Sequence, residues 1–500
     1  MTAKPIMIQG TMSGAGKSLL VAGLCRIFAQ DGYKVAPFKS QNMALNSFIT
    51  TEGMEMGRAQ VVQAEAAGIE AEVAMNPVLL KPTTDVGSQV IVQGRPLKTM
   101  SAVDYYAFKH ELKPVIMESY NNLAERFDII VIEGAGSPAE VNLKQDDIVN
   151  MGMAKMVASP VLLAGDIDRG GVFAQLIGTM MLLDPSEQAL VKGSIVNKFR
   201  GDPEILRPGL TILEERMGVP VVGVVPYMQV DIDDEDSMSD RLSARSRGGV
   251  VDIAVVRLPK ISNFTDFIAL EAAAGVDVRY VAKVSELGKP DLIILPGTKS
   301  TLADLKWLRE SGLETAILKL AHAGTPIFGI CGGYQMLGRS IADPHGVEGG
   351  GEMAGMDLLP VNTVFEPEKH TVQSQGTVQT VGGALASLSG TTIAGYEIHM
   401  GTTTLENDTP FVFLESDGTT KDDGCAYGNA YGTYVHGFFD EPQATKALIA
   451  SLLSAKGLDA HAVEAVDMAA YKQEQYDTLA RGLRESLDMD LVYRILEEGV

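Results

Sequence analysis

Five hundred residues, at roughly 150 per domain, call for two to four domains and exclude one small core. Hydrophobic residues at 46% and charged residues at 21% exclude a mostly disordered chain. With 41 basic against 64 acidic residues the net charge is −23, which argues against nonspecific binding to nucleic acid or to anionic lipid.

No apolar run reaches the ~18 residues expected of a membrane span, and Met1–Gly10 lacks the charged-then-apolar layout of a signal peptide. Three scattered cysteines, Cys25, Cys331 and Cys425, suit neither a disulfide framework nor a zinc site; a reducing, cytoplasmic setting is expected.

The first half alternates short β-branched runs with amphipathic stretches. Lys4–Gln9, Lys34–Phe38, Asp128–Glu133, Pro160–Asp166, Lys192–Asn197 and Pro220–Val225 read as buried strands. Helices are expected at Lys17–Gln30 and at Ala102–Arg126, the latter opened by Ser101 and Asp104 at capping-box spacing. Strands separated by helices predict an α/β fold with a parallel sheet, filling residues 1–230. The polar stretch 231–250 reads as a linker.

A second α/β series occupies 251–440, with strands at Val251–Leu258, Val276–Val281, Asp291–Leu295 and Thr325–Ile330 and one helix at Thr301–Ala323. Further strands are expected at Thr392–His399, Phe411–Glu415 and Tyr427–His436, then a helical extension over 441–500.

The strongest local signal is Gly10-Thr-Met-Ser-Gly-Ala-Gly-Lys-Ser18, which follows a strand and opens a helix. Gly14 and Gly16 let backbone N–H groups curl toward phosphate, where the helix N-terminus adds its dipole. Lys17 is expected at the terminal phosphates of ATP and Ser18 at magnesium. Thr11 stands where the common GxxxxGK[ST] pattern has glycine, a departure that resembles the dethiobiotin synthetase-like branch of P-loop proteins.

Glu133, ending its strand, is a second magnesium candidate. Asn197 is a candidate contact for the nucleotide. Lys39, Gln41 and Asn42 are candidate substrate or phosphate contacts, and Asp166 and Asp168 are second candidates for metal or acceptor-substrate contacts.

The second chemical signal is Gly329-Ile-Cys331-Gly-Gly333, a strand–turn–helix elbow of the kind that exposes a nucleophile. The helix N-terminus favours a reactive thiolate. Gly332 and Gly297 are candidate oxyanion donors. The base is expected to be His436, in Val435-His-Gly437, because a strand end followed by glycine leaves room for substrate; His399 is the second candidate, and His345 and His370 are expected in loops.

This second half resembles a class I-like glutamine amidotransferase domain, except that Phe438 stands where the usual acid follows the histidine. The third member of a catalytic triad is therefore open. Phe38–Ser47, Gly57–Gln60, Met75–Pro82, Gly165–Gly171 and Gly395–Gly401 extend the likeness to the cobyrinic-acid-type glutamine amidotransferase family. It covers about residues 4 to 440.

The resemblance implies ATP- and Mg2+-dependent, L-glutamine-hydrolysing amidation of adenosylcobyrinic acid a,c-diamide, with its b, d, e and g carboxylates converted to give adenosylcobyric acid in cobalamin biosynthesis. It further implies a protected ammonia route and leaves assembly as a homo-oligomer open. Three other readings compete: the relative that amidates the a and c carboxylates, a P-loop switch ATPase, and a binding module with a dead cysteine site. Met12, where such switches carry lysine, and the Cys331 elbow speak against the switch.

Overall fold

The computed structural model describes residues 3–83, 87–232, 248–406, 409–416, 418–460 and 466–500. Most of the expected 231–250 linker lies outside the described residues.

The chain divides into two units, and neither is continuous in sequence. The first holds residues 1–43, 56–233 and 472–500; the second holds 44–55 and 234–471. The expected division at 230, with a helical extension over 441–500, follows chain order, whereas these units do not. Helix Pro442–Ala455 belongs to the second unit, where Leu448, Ile449, Leu452 and Leu453 are buried in its core. Residues from Lys472 onward belong to the first.

In the first unit, the six expected strands form one parallel sheet in the order Val221–Pro226, Val191–Phe199, Val161–Asp166, Lys4–Gly10, Ile129–Glu133, Val35–Phe38. Central strands buried on both faces explain why they read as continuous apolar runs rather than alternating ones. A small mixed sheet, absent from the sequence reading, joins Gln41–Met43, Val78–Pro82, Gly87–Val92 and Arg95–Ser101.

The expected helix Ala102–Arg126 is three pieces, with a 3-10 turn over Lys109–Leu112 and Pro114 opening the helix Lys113–Arg126. Ser101 caps the first piece, its hydroxyl accepting from Asp104 N–H at 3.1 Å.

A C-terminal segment completes this core through the helix Met468–Ser486. Tyr476, Leu479 and Leu483 are buried with Leu20, Leu24 and Phe28 of helix Lys17–Gln30. Gly23 permits the approach, since a Cβ there would lie 2.2 Å from Leu483 Cδ1. Arg26–Asp477 at 2.8 Å and Arg484–Asp31 at 2.7 Å flank the contact, and the Arg484 hydrogen bond holds the Asp31 carboxyl below the usual carboxylate range.

The second unit has its own sheet, ordered Val276–Val281, Val251–Val256, Leu292–Leu295, Ile327–Ile330, Ala430–Thr433, Cys425–Tyr427. All pairs are parallel except the last. The expected helix Thr301–Ala323 is two helices, Thr301–Glu310 and Leu313–His322, broken at Gly312 with φ 77°. A long antiparallel hairpin pairs Val361–Val378 with Thr392–Leu405.

Leu483→Ala removes buried contacts from the P-loop helix and should cost about 2–5 kcal/mol. Native-state hydrogen exchange of Lys17–Gln30 should show protection falling by that amount; unchanged protection would mean that helix Met468–Ser486 does not buttress it.

Candidate active site

In the first unit the P-loop follows the strand Lys4–Gly10, with Gly14 and Gly16 at φ 74° and 86° and Gly16 as the residue before helix Lys17–Gln30. Glycine at 16 is required twice: by its left-handed backbone, and because a Cβ would sit 2.2 Å from Asn197 Nδ2. Asn197 donates to Ala15 O at 2.8 Å and so braces the loop. Thr11 donates to Gln175 Oε1 at 3.1 Å. Lys17 Nζ, buried, donates to Met12 O at 3.2 Å and Gly136 O at 3.1 Å.

Glu133, only 1% exposed, is the centre of the cluster. Its Oε1 accepts from Ser18 Oγ and from Lys39 Nζ, each at 2.9 Å, and its Oε2 accepts from Gln63 at 2.5 Å and Gln60 at 3.4 Å. Asn42 donates to Gln60 Oε1 at 3.0 Å, one step further out, and Gln41 accepts from Tyr105 at 2.5 Å.

Asp168 stands apart, half-exposed and paired with Arg200 at 2.8 Å. Its neighbour Asp166 is the buried one and joins the loop through Lys198, whose ammonium donates to Gly14 O at 2.6 Å and to Asp166 Oδ2 at 3.0 Å. Gln63 was missed in the sequence, because its role follows from what it touches and not from a motif.

In the second unit Cys331 ends the strand Ile327–Ile330 with φ 52° and ψ −110°, a strained elbow, and helix Gly332–Leu337 follows. A Cβ at Gly333 would lie 1.9 Å from Leu295 O, so only glycine lets this helix close onto the neighbouring strand. Cys331 N donates to Thr433 O at 2.9 Å, and its Sγ lies 3.6 Å from Ile398 O.

His436 is buried beside it. Its Nδ1 lies 2.7 Å from Asp266 Oδ2, while Asp266 Oδ1 accepts from Gly437 N at 2.9 Å. Burial works against the charged imidazole, but the Asp266 carboxylate, its hydrogen bond and the Cys331 sulfur together push His436 up to about 10.

Asp266 occupies the position of the acid that the sequence reading left open, in contact with His436 Nδ1. It lies 170 residues upstream of His436, in the turn Phe264–Phe267 after the strand Val251–Val256. The signal was a lone acid between two phenylalanines after a strand end, and it means little until the register is known.

Gly297 and Gly332 both adjoin this centre. A Cβ on Gly297 would lie 2.8 Å from His436 Cε1, and one on Gly332 would lie 2.7 Å from Thr298 Cγ2. His399 flanks the site instead of facing the thiol: its ring stacks on Tyr434 at 3.7 Å, Nδ1 lies 2.8 Å from Gly401 O, and Nε2 lies 3.4 Å from Glu397 Oε2. Burial opposes charge on Glu397, yet the His399 hydrogen bond and the Lys421 ammonium hold it at about 2.

Residues 44–55 brace the same centre. Ser47 O accepts from Asn263 Nδ2 at 2.9 Å and from Tyr396 OH at 3.1 Å, while Tyr396 exchanges backbone hydrogen bonds with His436.

A P-loop unit and a unit with a Cys–His–Asp centre at a sheet's carboxyl edge define an ATP-using glutamine amidotransferase. Residues 6–239 match the family model of the CobQ/CobB/MinD/ParA nucleotide binding domain, and 252–444 match that of the CobB/CobQ-like glutamine amidotransferase domain. The cobyric acid synthase of Ruminiclostridium cellulolyticum is 60% identical over 503 residues, covering 100% of this chain and 98% of that protein. That of Lachnoclostridium phytofermentans is 60% identical over 522 residues and covers all of both chains; that of Photorhabdus laumondii is 52% identical, covering 98% of each. The chain belongs to the cobyric acid synthase family, glutamine-hydrolysing ligases of cobalamin biosynthesis. Among the described residues no helix is long and apolar enough to cross a membrane.

Asp266→Asn should lower glutamine-dependent turnover on the order of 10²- to 10⁴-fold by leaving the imidazole unoriented. It should also change stability with pH. His436 is raised above its ordinary 6.5, so the stabilisation it draws from Asp266 is complete below about pH 6.5 and is lost as pH rises through about 10. Thermal midpoints of wild type and variant should therefore converge between those limits; a constant gap would mean that the pair is uncharged.

Proposed function

We propose that this chain amidates the b, d, e and g carboxylates of adenosylcobyrinic acid a,c-diamide, using ATP and glutamine, to give adenosylcobyric acid. The observation that carries the reading is full-length identity of 60% to cobyric acid synthases, in a chain whose thiol, imidazole and carboxylate meet at one strand end. The competing switch reading gives no purpose to that second centre.

In the glutaminase half, the imidazolium beside Cys331 favours the thiolate, which attacks the side-chain amide of glutamine. The tetrahedral oxyanion would be met by the N–H groups of Gly332 and Gly297. His436 gives its proton to the departing ammonia, and the glutamyl thioester left on Cys331 is hydrolysed by water. Asp266 holds the ring in place through Nδ1 and stabilises its charge.

In the synthetase half, a carboxylate resists ammonia until phosphoryl transfer from ATP turns it into an acyl phosphate. The work of the protein is placement and charge neutralisation. Thr11, Gly14, Gly16 and Lys17 would cradle the phosphates, with Asn197 and Lys198 fixing the loop that does so.

Ser18 and Glu133 present hard oxygen donors 2.9 Å apart, a set that fits magnesium. Bound there, the ion would supply charge neutralisation on the phosphates. Lys39, already paired with Glu133, would then be a second cation beside the phosphates, after Lys17. Gln41, Asn42 and Asp168 remain candidates for substrate carboxamides and carboxylates, Asp168 the weakest because Arg200 already engages it.

Two variants test the division of labour with the purified enzyme and adenosylcobyrinic acid a,c-diamide. Cys331→Ala should lose glutamine-supported amidation by about 10³-fold or more while keeping synthesis from ammonium at raised pH. Lys17→Ala should lose synthesis from either nitrogen source by about 10²-fold or more. Ammonium failing in a folded Cys331→Ala protein, or ATP-dependent synthesis surviving in Lys17→Ala, would overturn the scheme. Turnover of cobyrinic acid in place of the diamide would assign the a,c-amidating activity instead.

A further inference from the structure

The second unit gathers two imidazoles and a carboxylate in a cluster that the thiol chemistry does not use. His370 and His399 are directly opposed on the antiparallel hairpin, and Glu397 lies two residues before His399, on the same strand face. The sequence reading expected His370 in a loop; it is instead in the strand Val361–Val378, resuming pairing just after an irregularity between Phe365 and His370.

We propose that His370, Glu397 and His399 form a binding site for a divalent transition-metal ion of the zinc type, with the Lys421 ammonium as its tethered competitor. The three ligand atoms lie within 4.8 Å of one another. From Glu397 Oε2, His399 Nε2 is 3.4 Å away and His370 Nε2 is 3.8 Å away. Ligands bound at ~2.0–2.2 Å in a tetrahedron stand about 3.4 Å apart, so small side-chain movements complete the geometry.

The outer contacts are those a metal site needs. Gly401 O takes His399 Nδ1–H at 2.8 Å, which fixes the ring and leaves Nε2, hydrogen-bonded to Glu397 in the ion-free protein, as the nitrogen that gives up its proton to an ion. Ser374 Oγ donates to Glu397 Oε1 at 2.8 Å, leaving Oε2 as the convergent atom. The donor set of two nitrogens and one oxygen selects zinc, cobalt, nickel or copper over magnesium or calcium.

The polypeptide already treats this point as a cation site. Lys421 Nζ lies 2.7 Å from Glu397 Oε2 and 3.3 Å from His370 Nε2. Its side chain is 38% exposed, against 0% for Glu397, so the ammonium can swing into water while the carboxylate cannot. An ion entering from solvent replaces one positive charge by two on a buried carboxylate.

Titration of the chelator-treated full-length protein with Co2+ reads the site without reference to turnover. We expect one equivalent per chain with an intense visible d–d band, distinct from weakly absorbing oxygen-ligated Co2+ at Ser18 and Glu133, and no thiolate charge-transfer band. His370→Ala and Glu397→Gln should weaken binding at least about tenfold, and Cys331→Ala and His345→Ala should leave it unchanged.

Lys421→Met should tighten binding roughly fivefold, the equivalent of no longer breaking a half-exposed ion pair. A gain of this kind cannot come from misfolding. Binding that vanishes in Cys331→Ala, that persists in His370→Ala, or that produces no d–d band at millimolar Co2+ overturns the proposal, as does unchanged or weaker binding in a folded Lys421→Met protein.

Discussion

An ionised carboxylate can be buried at the end of a parallel strand only if the chain brings its donors with it, because desolvation otherwise costs several kcal/mol. Both units are organised around this constraint. Glu133 and Asp266 are 1% and 3% exposed. The first is met by Ser18, Lys39 and Gln63, the second by His436 and the Gly437 amide. Neither set is local in sequence, so each carboxylate links segments that lie far apart along the chain.

The groups that satisfy burial are also the groups the proposed chemistry would employ. Polar groups held in place before substrate arrives do not have to reorganise during the reaction, and this is where electrostatic catalysis gains most. His436 is an instance. Its charge is kept by Asp266 against complete burial, and the same charge stands next to the Cys331 sulfur. Gly437 reinforces the arrangement, since its backbone N–H fixes the second oxygen of Asp266 and thereby the direction of the first.

How much of this was legible in the sequence follows from how local each feature is. The parallel strands were visible because strands buried on both faces are short β-branched runs bounded by Gly, Pro or Asp. The P-loop and the Cys331 elbow were visible because glycine spacing encodes them within ten residues. The long hairpin was half hidden, as Val361–Val378 carries Pro367 and several charges and lacks a clean alternation. Helix 301–323 was overread because the periodic pattern continues across Gly312, whose left-handed backbone breaks it. Asp266 was out of reach, since its meaning depends on a partner 170 residues away, and so was the Glu397 cluster, which exists only through strand register.

Order along the chain misleads most at the domain boundaries. Residues 44–55 sit between two stretches of the first unit yet fold into the second, where Ile49 is buried with Tyr396 and Ile398, and Lys369 pairs with buried Glu55. Residues 472–500 follow the second unit yet complete the hydrophobic core of the first. A cut in the 231–250 stretch, where composition suggests a linker, would strip the thiol unit of Ser47, the acceptor shared by Asn263 and Tyr396, and would leave helix Lys17–Gln30 without Leu479 and Leu483. Each large apolar side chain left exposed costs about 1.5–3 kcal/mol, against a typical folding margin of about 5–15 kcal/mol. Division of the chain is therefore not a way to separate the two proposed activities, which leaves point substitution at the carboxylates and the nucleophile.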